Sequence, residues 1–350
     1  MIQLINRSAR GSCGGERKET MQGKRFSMLS ALLTALILLA VWCVPAAVAE
    51  TASEGDDSAY DESGDPSTGY LYGSIAYLNG NLYFFSDAED SMLFSKPLSG
   101  GASVELGVID SEMLMDEATG MGYHVSSCFL LAWKEQLYLL NPYTGQWYSL
   151  LNDQGELELK AQTVKLDLDV MMEKDEDYSY PMSTNARFVM GDWLYFVGSS
   201  YSGGENKMCF GRIPLTGGTS QMFEVPSIAN ACAYGDGKVA LFLCDMSALY
   251  TGEASVDQLT ATLAIFDPES GTLGTEWPVT SDNQMGVYNL RGFCSDGDKV
   301  YYQDGSRIMG IDPKTGESKI AAYTGEGMYG GNSYGNVLCE GGYYITAGSG

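Results

Sequence analysis

The sequence predicts an all-β protein: a β-propeller of four-stranded antiparallel blades, five of them complete and a sixth partial. Three observations carry that reading. A Pro-x-Ser/Thr-Gly turn returns five times along the chain. An Asn/Asp/Gly hairpin turn lies upstream of most copies. Short aromatic and β-branched runs fill the intervals, and helical periodicity is almost absent.

Taken from the N-terminus, residues 1–49 read as a secretory signal peptide. Lys24 and Arg25 precede an apolar run from Met28 to Val44, followed by Pro45 and the small-x-small site Ala47-Val48-Ala49. Cleavage is expected between Ala49 and Glu50, and Met21 is the expected true start, because Met1 to Thr20 is polar. An uncleaved segment would be the chain's only membrane contact. The chain is therefore expected to be secreted or extracytoplasmic and associated with the cell envelope. Residues 50–69, rich in Ser, Asp, Glu and Gly, read as a disordered acidic tether.

The repeat begins near residue 70. The turns are Pro97-Leu98-Ser99-Gly100, Pro142-Tyr143-Thr144-Gly145, Pro214-Leu215-Thr216-Gly217, Pro268-Glu269-Ser270-Gly271 and Pro313-Lys314-Thr315-Gly316. Proline presets φ at the first central position, and glycine accepts a positive φ at the exit. Before each comes a short apolar run, such as Leu137-Tyr138-Leu139-Leu140 or Leu263-Ala264-Ile265-Phe266. Upstream hairpin turns are Asn79-Gly80, Gly191-Asp192, Asp236-Gly237 and Asp296-Gly297. Each unit is then a meander of strands A to D, and the Pro-x-Ser/Thr-Gly turn is expected to join C to D every time. The prolines are 45, 72, 54 and 45 residues apart, the period of propeller blades. One helix is expected, from Glu112 to Ala118 with Ser111 as its cap. A sixth blade begins at Asn336-Val337-Leu338-Cys339 and stops at Gly350, so the chain is expected to be cut short of its natural end, with Tyr70-Leu71-Tyr72 as one closing strand.

The motifs Ile311-Asp312-Pro313-Lys314-Thr315-Gly316 and Ile265-Phe266-Asp267-Pro268-Glu269-Ser270-Gly271 resemble the repeats of bacterial exported propellers of the quinoprotein-like and YWTD-like kind. The resemblance covers about residues 70–350. It implies the fold and little about activity. The tryptophan docking positions of quinoprotein dehydrogenases are not evident, so no quinone cofactor is implied.

Composition limits the function. The chain has 350 residues, 20 Lys+Arg against 45 Asp+Glu, and a net charge of −25. Phosphates would be repelled, which excludes a nucleic-acid partner. At 45% hydrophobic residues the chain is too apolar for disorder. The single histidine, His124, excludes two-histidine chemistry and is read as structural. Six cysteines follow the signal: Cys128, Cys209, Cys232, Cys244, Cys294 and Cys339. They sit in apolar runs without framework spacing and are read as buried thiols rather than disulfides.

Alternation of the meander places A–B and C–D connections at one end of each blade and B–C and D–A connections at the other. The variable loops, including Gly198 to Lys207 and the acidic insertion Asn152 to Thr184, fall on the second end, where binding is expected. The candidate binding residues there are Tyr178, Tyr180, Tyr201, Glu205, Tyr250, Tyr329 and Tyr334. Exposed tyrosine binds at low entropic cost. The expected function is a non-catalytic binding module for a glycan, a peptide or a cell-envelope protein. The alternatives are the N-terminal propeller of a larger envelope protein, such as a solute-binding transport component, and a carbohydrate-active hydrolase or lyase using carboxylates. No catalytic, metal or cofactor residue is identified. The acidic insertion offers oxygen donors for calcium but lacks the Asp-x-Asp-x-Asp-Gly spacing.

Overall fold

The structure, a computed structural model, describes residues 2–6, 75–85, 91–116, 119–174, 179–202, 205–246, 249, 252, 254–282, 286–323, 338–340 and 343–347. Residues 21–49 of the expected signal, the tether and residues 70–72 lie outside the described residues. One strand, β1 (Ile2–Asn6), precedes five four-stranded antiparallel sheets. Blade 1 is β2 (Ile75–Leu78), β3 (Asn81–Phe85), β4 (Met92–Pro97) and β5 (Val104–Val108). Blade 2 is β6 (Phe129–Trp133), β7 (Gln136–Leu140), β8 (Trp147–Leu151) and β9 (Leu157–Ala161). A small hairpin, β10 (Met172–Lys174) with β11 (Ser179–Pro181), precedes blade 3. That blade is β12 (Ser183–Met190), β13 (Trp193–Ser202), β14 (Glu205–Pro214) and β15 (Gln221–Phe223). Blade 4 is β16 (Ile228–Tyr234), β17 (Lys238–Cys244), β18 (Ala261–Asp267) and β19 (Thr272–Val279). Blade 5 is β20 (Arg291–Ser295), β21 (Val300–Asp304), β22 (Arg307–Ile311) and β23 (Ser318–Tyr323).

Each blade is a meander, with spatial order equal to chain order. First strands touch first strands around the ring: β2 with β6, β6 with β12, β12 with β16, β16 with β20, and β20 with β24 (Leu338–Glu340). The fold is thus a β-propeller with strand A of each blade innermost. A further sheet has the order β1-β25-β24, where β25 is Tyr343–Ala347. Its third strand comes from Ile2–Asn6, paired from Ile2↔Ala347 to Asn6↔Tyr343. That strand precedes the expected cleavage site, so a chain cut after Ala49 would make this sheet without it.

The four largest buried clusters lie between successive blades, from blade 1 through blade 5. Successive side chains of a strand point to opposite faces, and here both faces are covered. In β17, Val239, Leu241 and Leu243 pack toward blade 3, while Ala240, Phe242 and Cys244 pack toward blade 5. In β13, Leu194 and Phe196 face blade 2, and Tyr195 and Val197 face blade 4. This is why second strands read as unbroken apolar runs. Each fully buried Leu or Phe contributes about 1.5–3 kcal/mol. Cys128, Cys232, Cys244 and Cys294 are buried in these layers, and the described cysteines form no disulfide with one another. Burial pushes the Cys128 thiol up to about 12 and that of Cys244 to about 11, so both are held as neutral thiols.

Polar contacts stitch neighbouring blades at the A–B and C–D end. The Arg212 guanidinium stands 4.1 Å from the Trp193 ring centroid, donates to Tyr195 Oη at 3.1 Å and pairs with Glu269 Oε1 at 2.6 Å, across to the blade 4 turn. Asp192 accepts from Trp133 Nε1 and pairs with Lys134 Nζ at 3.0 Å, joining blade 3 to blade 2. Those hydrogen bonds, Lys134 first, hold the Asp192 carboxyl below its usual range.

Two expectations are corrected. The Pro-x-Ser/Thr-Gly turn joins C to D in blades 1, 3, 4 and 5, but in blade 2 it joins β7 to β8, strand B to strand C. The blade 2 C–D turn is instead Asn152 to Glu156, with Asn152 Oδ1 accepting from the Gln154 and Glu156 amides. Turn chemistry is local and does not record which pair of strands it joins. Second, the expected helix at Glu112 to Ala118 is a single 3-10 turn, Ser111–Leu114, with Asp110 rather than Ser111 as the cap. Asp110 accepts from the Glu112 amide at 3.1 Å, and the chain is extended again by Met115.

The outer turns also lock against the preceding blade. Trp277 of β19 donates through Nε1 to Pro313 O at 2.8 Å, and its ring lies where a side chain on Gly316 (φ 75°) would stand. Gly271 has the same backbone conformation in open space. Gly271→Ala is therefore expected to cost about 1–2 kcal/mol for its backbone alone. Gly316→Ala is expected to cost about 1–3 kcal/mol more through overpacking. Urea unfolding of the two variants checks this; equal costs would show that the ring contact is unimportant.

Candidate functional site

The end of the disc formed by B–C and D–A connections is called the loop face. At blades 1 and 2 it is built by the D–A connection from Ile109 to Cys128 and by the displaced Pro142 turn. Ile109 and Leu114 are buried and anchor the connection. Between them and His124 the chain is held by its own bonds. The Asp116 amide donates to Met121 O at 2.8 Å, the Gly120 amide to Asp116 O at 2.7 Å, and Thr119 Oγ1 to Asp116 Oδ2 at 2.9 Å. Gly122 lies against the Ser111 carbonyl, where a Cβ would stand 3.1 Å from the oxygen. With Leu114 fixed inward, Met113, Met115 and Met121 are turned out, 54%, 45% and 58% exposed.

The Pro142 turn meets this loop. Asn141 is buried, and its Oδ1 accepts from the Tyr143 amide at 2.9 Å. The chain leaving β9 then crosses the turn: Gln162 N donates to Trp147 O, Trp147 Nε1 to Val164 O at 2.7 Å, and Leu166 N to Gly145 O at 2.9 Å. Gly145 (φ 67°) touches the Leu166 carbonyl and has no space for a side chain. Tyr143 is left 45% exposed and stacks on Tyr123, with ring centroids 5.2 Å apart at 25°. Partial burial, then the Asp116 carboxylate and Tyr143, push the Tyr123 phenol up.

His124 is bound on both ring nitrogens. The Ser126 amide donates to Nδ1 at 3.2 Å, and Ser126 Oγ lies 2.8 Å from the same atom. An acceptor Nδ1 leaves the proton on Nε2, which donates to Ser91 Oγ at 2.9 Å. Ser91 is buried at φ 53°. The histidine therefore caps the 3-10 turn Val125–Ser127 and ties it to blade 1. In this tautomer it gives a proton to the serine and does not take one.

At blade 3 three of the candidate residues are described. Tyr180 sits on β11 opposite Glu173 of β10 and is 44% exposed. Tyr201 and Glu205 lie on a long ribbon, opposite Asn206 and Ser202. The expected loop from Gly198 to Lys207 is thus largely strand, because continued pairing from Trp193↔Pro214 to Ser202↔Glu205 satisfies backbone groups that a loop would leave to solvent. Met182, which follows β11, joins hairpin and ribbon: its amide donates to Met171 O, and its sulfur lies 3.3 Å from Cys209 Sγ on β14. Burial pushes the Cys209 thiol up, and the Glu173 carboxylate adds to that. Tyr180, Tyr201 and Glu205 thus belong to one end of blade 3. Tyr178, Tyr250, Tyr329 and Tyr334 lie outside the described residues.

Tyr123, Tyr143 and the three methionines were not found from sequence. The signal was present: only six residues separate Glu135 of the blade 2 A–B turn from Pro142, room for one strand and not two. Among the described residues, no group of three or more His, Cys, Asp or Glu is placed to hold a metal ion.

No family model matches the chain, and no curated protein matches it. Solved structures similar to it include a Kuenenia stuttgartiensis hydrazine synthase (13% identity over 69% of this chain and 64% of that one, TM-score 0.39). Others are the Dos1 propeller (12%, 79% and 64%, TM-score 0.40) and an auxiliary nutrient-binding protein from Bacteroides thetaiotaomicron VPI-5482 (12%, 79% and 67%, TM-score 0.41). The chain spans about two thirds of the length of each. The propeller assignment rests on this chain's own strand order and inter-blade contacts.

The histidine geometry is open to direct measurement. With one histidine in the chain, the ¹⁵N spectrum at neutral pH is expected to show a bare Nδ1 and a protonated Nε2. A proton on Nδ1 would overturn the assignment.

Proposed function

We propose that the chain is an exported binding module, acting without catalysis of its own, that engages a glycan, a peptide or a cell-envelope protein through the loop face. The observation that carries this reading is the unequal use of the two ends of the disc. At the A–B and C–D end, turn residues are spent on packing and ion pairs. Leu98 and Leu215 are buried, and Asp192, Glu269 and Asp298 pair with Lys134, Arg212 and Lys314. The loop face has one such cluster, Arg307 with Asp282 and Asp304, and holds Tyr143 and Tyr180 about half exposed, on connections fixed by backbone hydrogen bonds. A held backbone with outward aromatic side chains loses little freedom on binding.

Ligands selected from a glycan array and a displayed peptide library provide the test. The double variant Tyr143→Ser, Tyr180→Ser is expected to weaken binding at least about tenfold, or ~1.4 kcal/mol. Lys314→Ala, at the opposite end, is expected to change it less than about twofold, as a surface pair contributes little. The reverse ranking would overturn the reading. Export has its own check: N-terminal sequencing of the protein recovered outside the cytoplasm is expected to begin at Glu50. A chain that retains Ile2–Asn6 would remove the signal-peptide argument.

A further inference from the structure

The patch on blades 1 and 2 is more specific than the loop face as a whole. Five side chains compose it: Met113, Met115, Met121, Tyr123 and Tyr143. Four of them are 45–58% exposed, carried by one loop and by the turn that meets it through the Tyr123–Tyr143 stack, an exposed apolar group of the kind that often marks a docking site. Thioethers are unbranched and polarizable, so they adapt to an apolar partner of irregular shape, and the stacked tyrosines give a flat, stiff wall beside them.

The loop that carries the methionines bears charge of one sign. From Leu98 to Trp133 the chain carries Glu105, Asp110, Glu112, Asp116 and Glu117, and no lysine or arginine. Asp110 and Glu112 are exposed on the 3-10 turn that presents Met113. Asp116 is paired in register with Met121. The segment crossing the Pro142 turn adds Lys165, followed by Asp167 and Asp169. The turn itself, Asn141 to Gln146, is uncharged. An apolar floor inside a carboxylate rim, on a protein of net charge −25, fits a partner that brings apolar side chains flanked by positive charge. A neutral sugar would gain hydrogen bonds but no charge pairing from the rim, and an acidic segment would be repelled by it.

We propose that this patch docks a basic amphipathic polypeptide segment, with its apolar side chains against Met113, Met115, Met121, Tyr123 and Tyr143 and its lysines or arginines against Asp110, Glu112 and Asp116. The proposal rests on the reading of the loop face as the binding face and names the partner class of one part of it. The loop is held by its own hydrogen bonds before any partner arrives, so the ordering cost falls on the segment and not on the propeller.

The test uses the whole chain and three synthetic 16-residue peptides: a Leu/Lys amphipathic helix, its Leu/Glu counterpart, and a Gly/Ser/Lys peptide of equal positive charge. The Leu/Lys peptide is expected to bind at least about tenfold more tightly than either of the others, and less tightly as salt rises. Met115→Ser with Met121→Ser is expected to weaken it at least about tenfold, and Met222→Ser, an exposed methionine on β15 away from the patch, to leave it unchanged. Bound peptide is also expected to slow peroxide oxidation of Met113, Met115 and Met121 relative to the free protein, which reports contact independently of affinity. Equal binding of the Gly/Ser/Lys peptide would reduce the effect to bulk charge and overturn the proposal. So would equal binding of the Leu/Glu peptide, or unchanged methionine oxidation. If no peptide binds while the double variant Tyr143→Ser, Tyr180→Ser still abolishes binding of an array-selected ligand, this proposal fails and the loop-face reading stands. If that ligand is also indifferent to the loop face, both fail.

Discussion

No blade of this protein can hide its apolar residues alone. A four-stranded sheet with buried side chains on both faces needs a neighbour on each side, and four of the buried layers among the described residues are shared by two blades. Tyr83 and Phe85 of blade 1 meet Leu137 and Leu139 of blade 2 in one layer. Phe242 of blade 4 stacks on Phe293 of blade 5, with centroids 4.6 Å apart. Stability is therefore a property of adjacent pairs. The demand also explains why loops collect at one end. The sheet edges and one set of turns are engaged in holding blade to blade, which leaves the B–C and D–A connections to vary without disturbing the stack.

That dependence decides what could be read in the sequence. Strand identity was legible because burial on both faces writes an apolar run, as in Leu194-Tyr195-Phe196-Val197. Turn positions were legible because a positive φ at Gly100, Gly217, Gly271 and Gly316 requires glycine at the exit of the bend. The pairing of strands across a turn was not, since Gly145 adopts the same φ for the same local reason while joining a different pair. A five-residue β7 directly after Lys134-Glu135 fixes the blade 2 connection, and that fact lies in spacing rather than in residue type.

The candidate site was legible only in outline for a related cause. Loop tyrosines can be listed from sequence, but whether one points outward depends on what fills the space beneath it. Leu98 and Leu215 hold the position after proline in their turns and are buried. Tyr143 holds the same position at the other end of its blade and is exposed, because Asn141, Gly145 and the crossing chain at Leu166 already fill the inner side. Likewise His124 looks like a lone structural histidine in sequence, and the structure supplies the reason. A backbone amide aimed at Nδ1 fixes its tautomer, and a serine 33 residues upstream accepts the hydrogen bond from Nε2.

Charge placement follows from the same division of labour. Several of the basic residues stand against neighbouring elements, where they meet a carboxylate or an aromatic ring. Arg212 lies between Tyr195 and Glu269, Arg307 bridges Asp282 and Asp304, and Arg187 stands 4.0 Å from the Phe129 ring centroid. With 20 Lys+Arg against 45 Asp+Glu in the chain, committing cations to such contacts leaves fewer elsewhere. The stretch leading into blade 2, residues 97–133, is one of the three longest runs without Lys or Arg, the others being 26–95 and 239–290, and there the loop also turns its methionines outward. A negative, apolar surface is thus the residue of how the propeller is held together, and it meets a positively charged partner with no competing cation of its own along that stretch of chain.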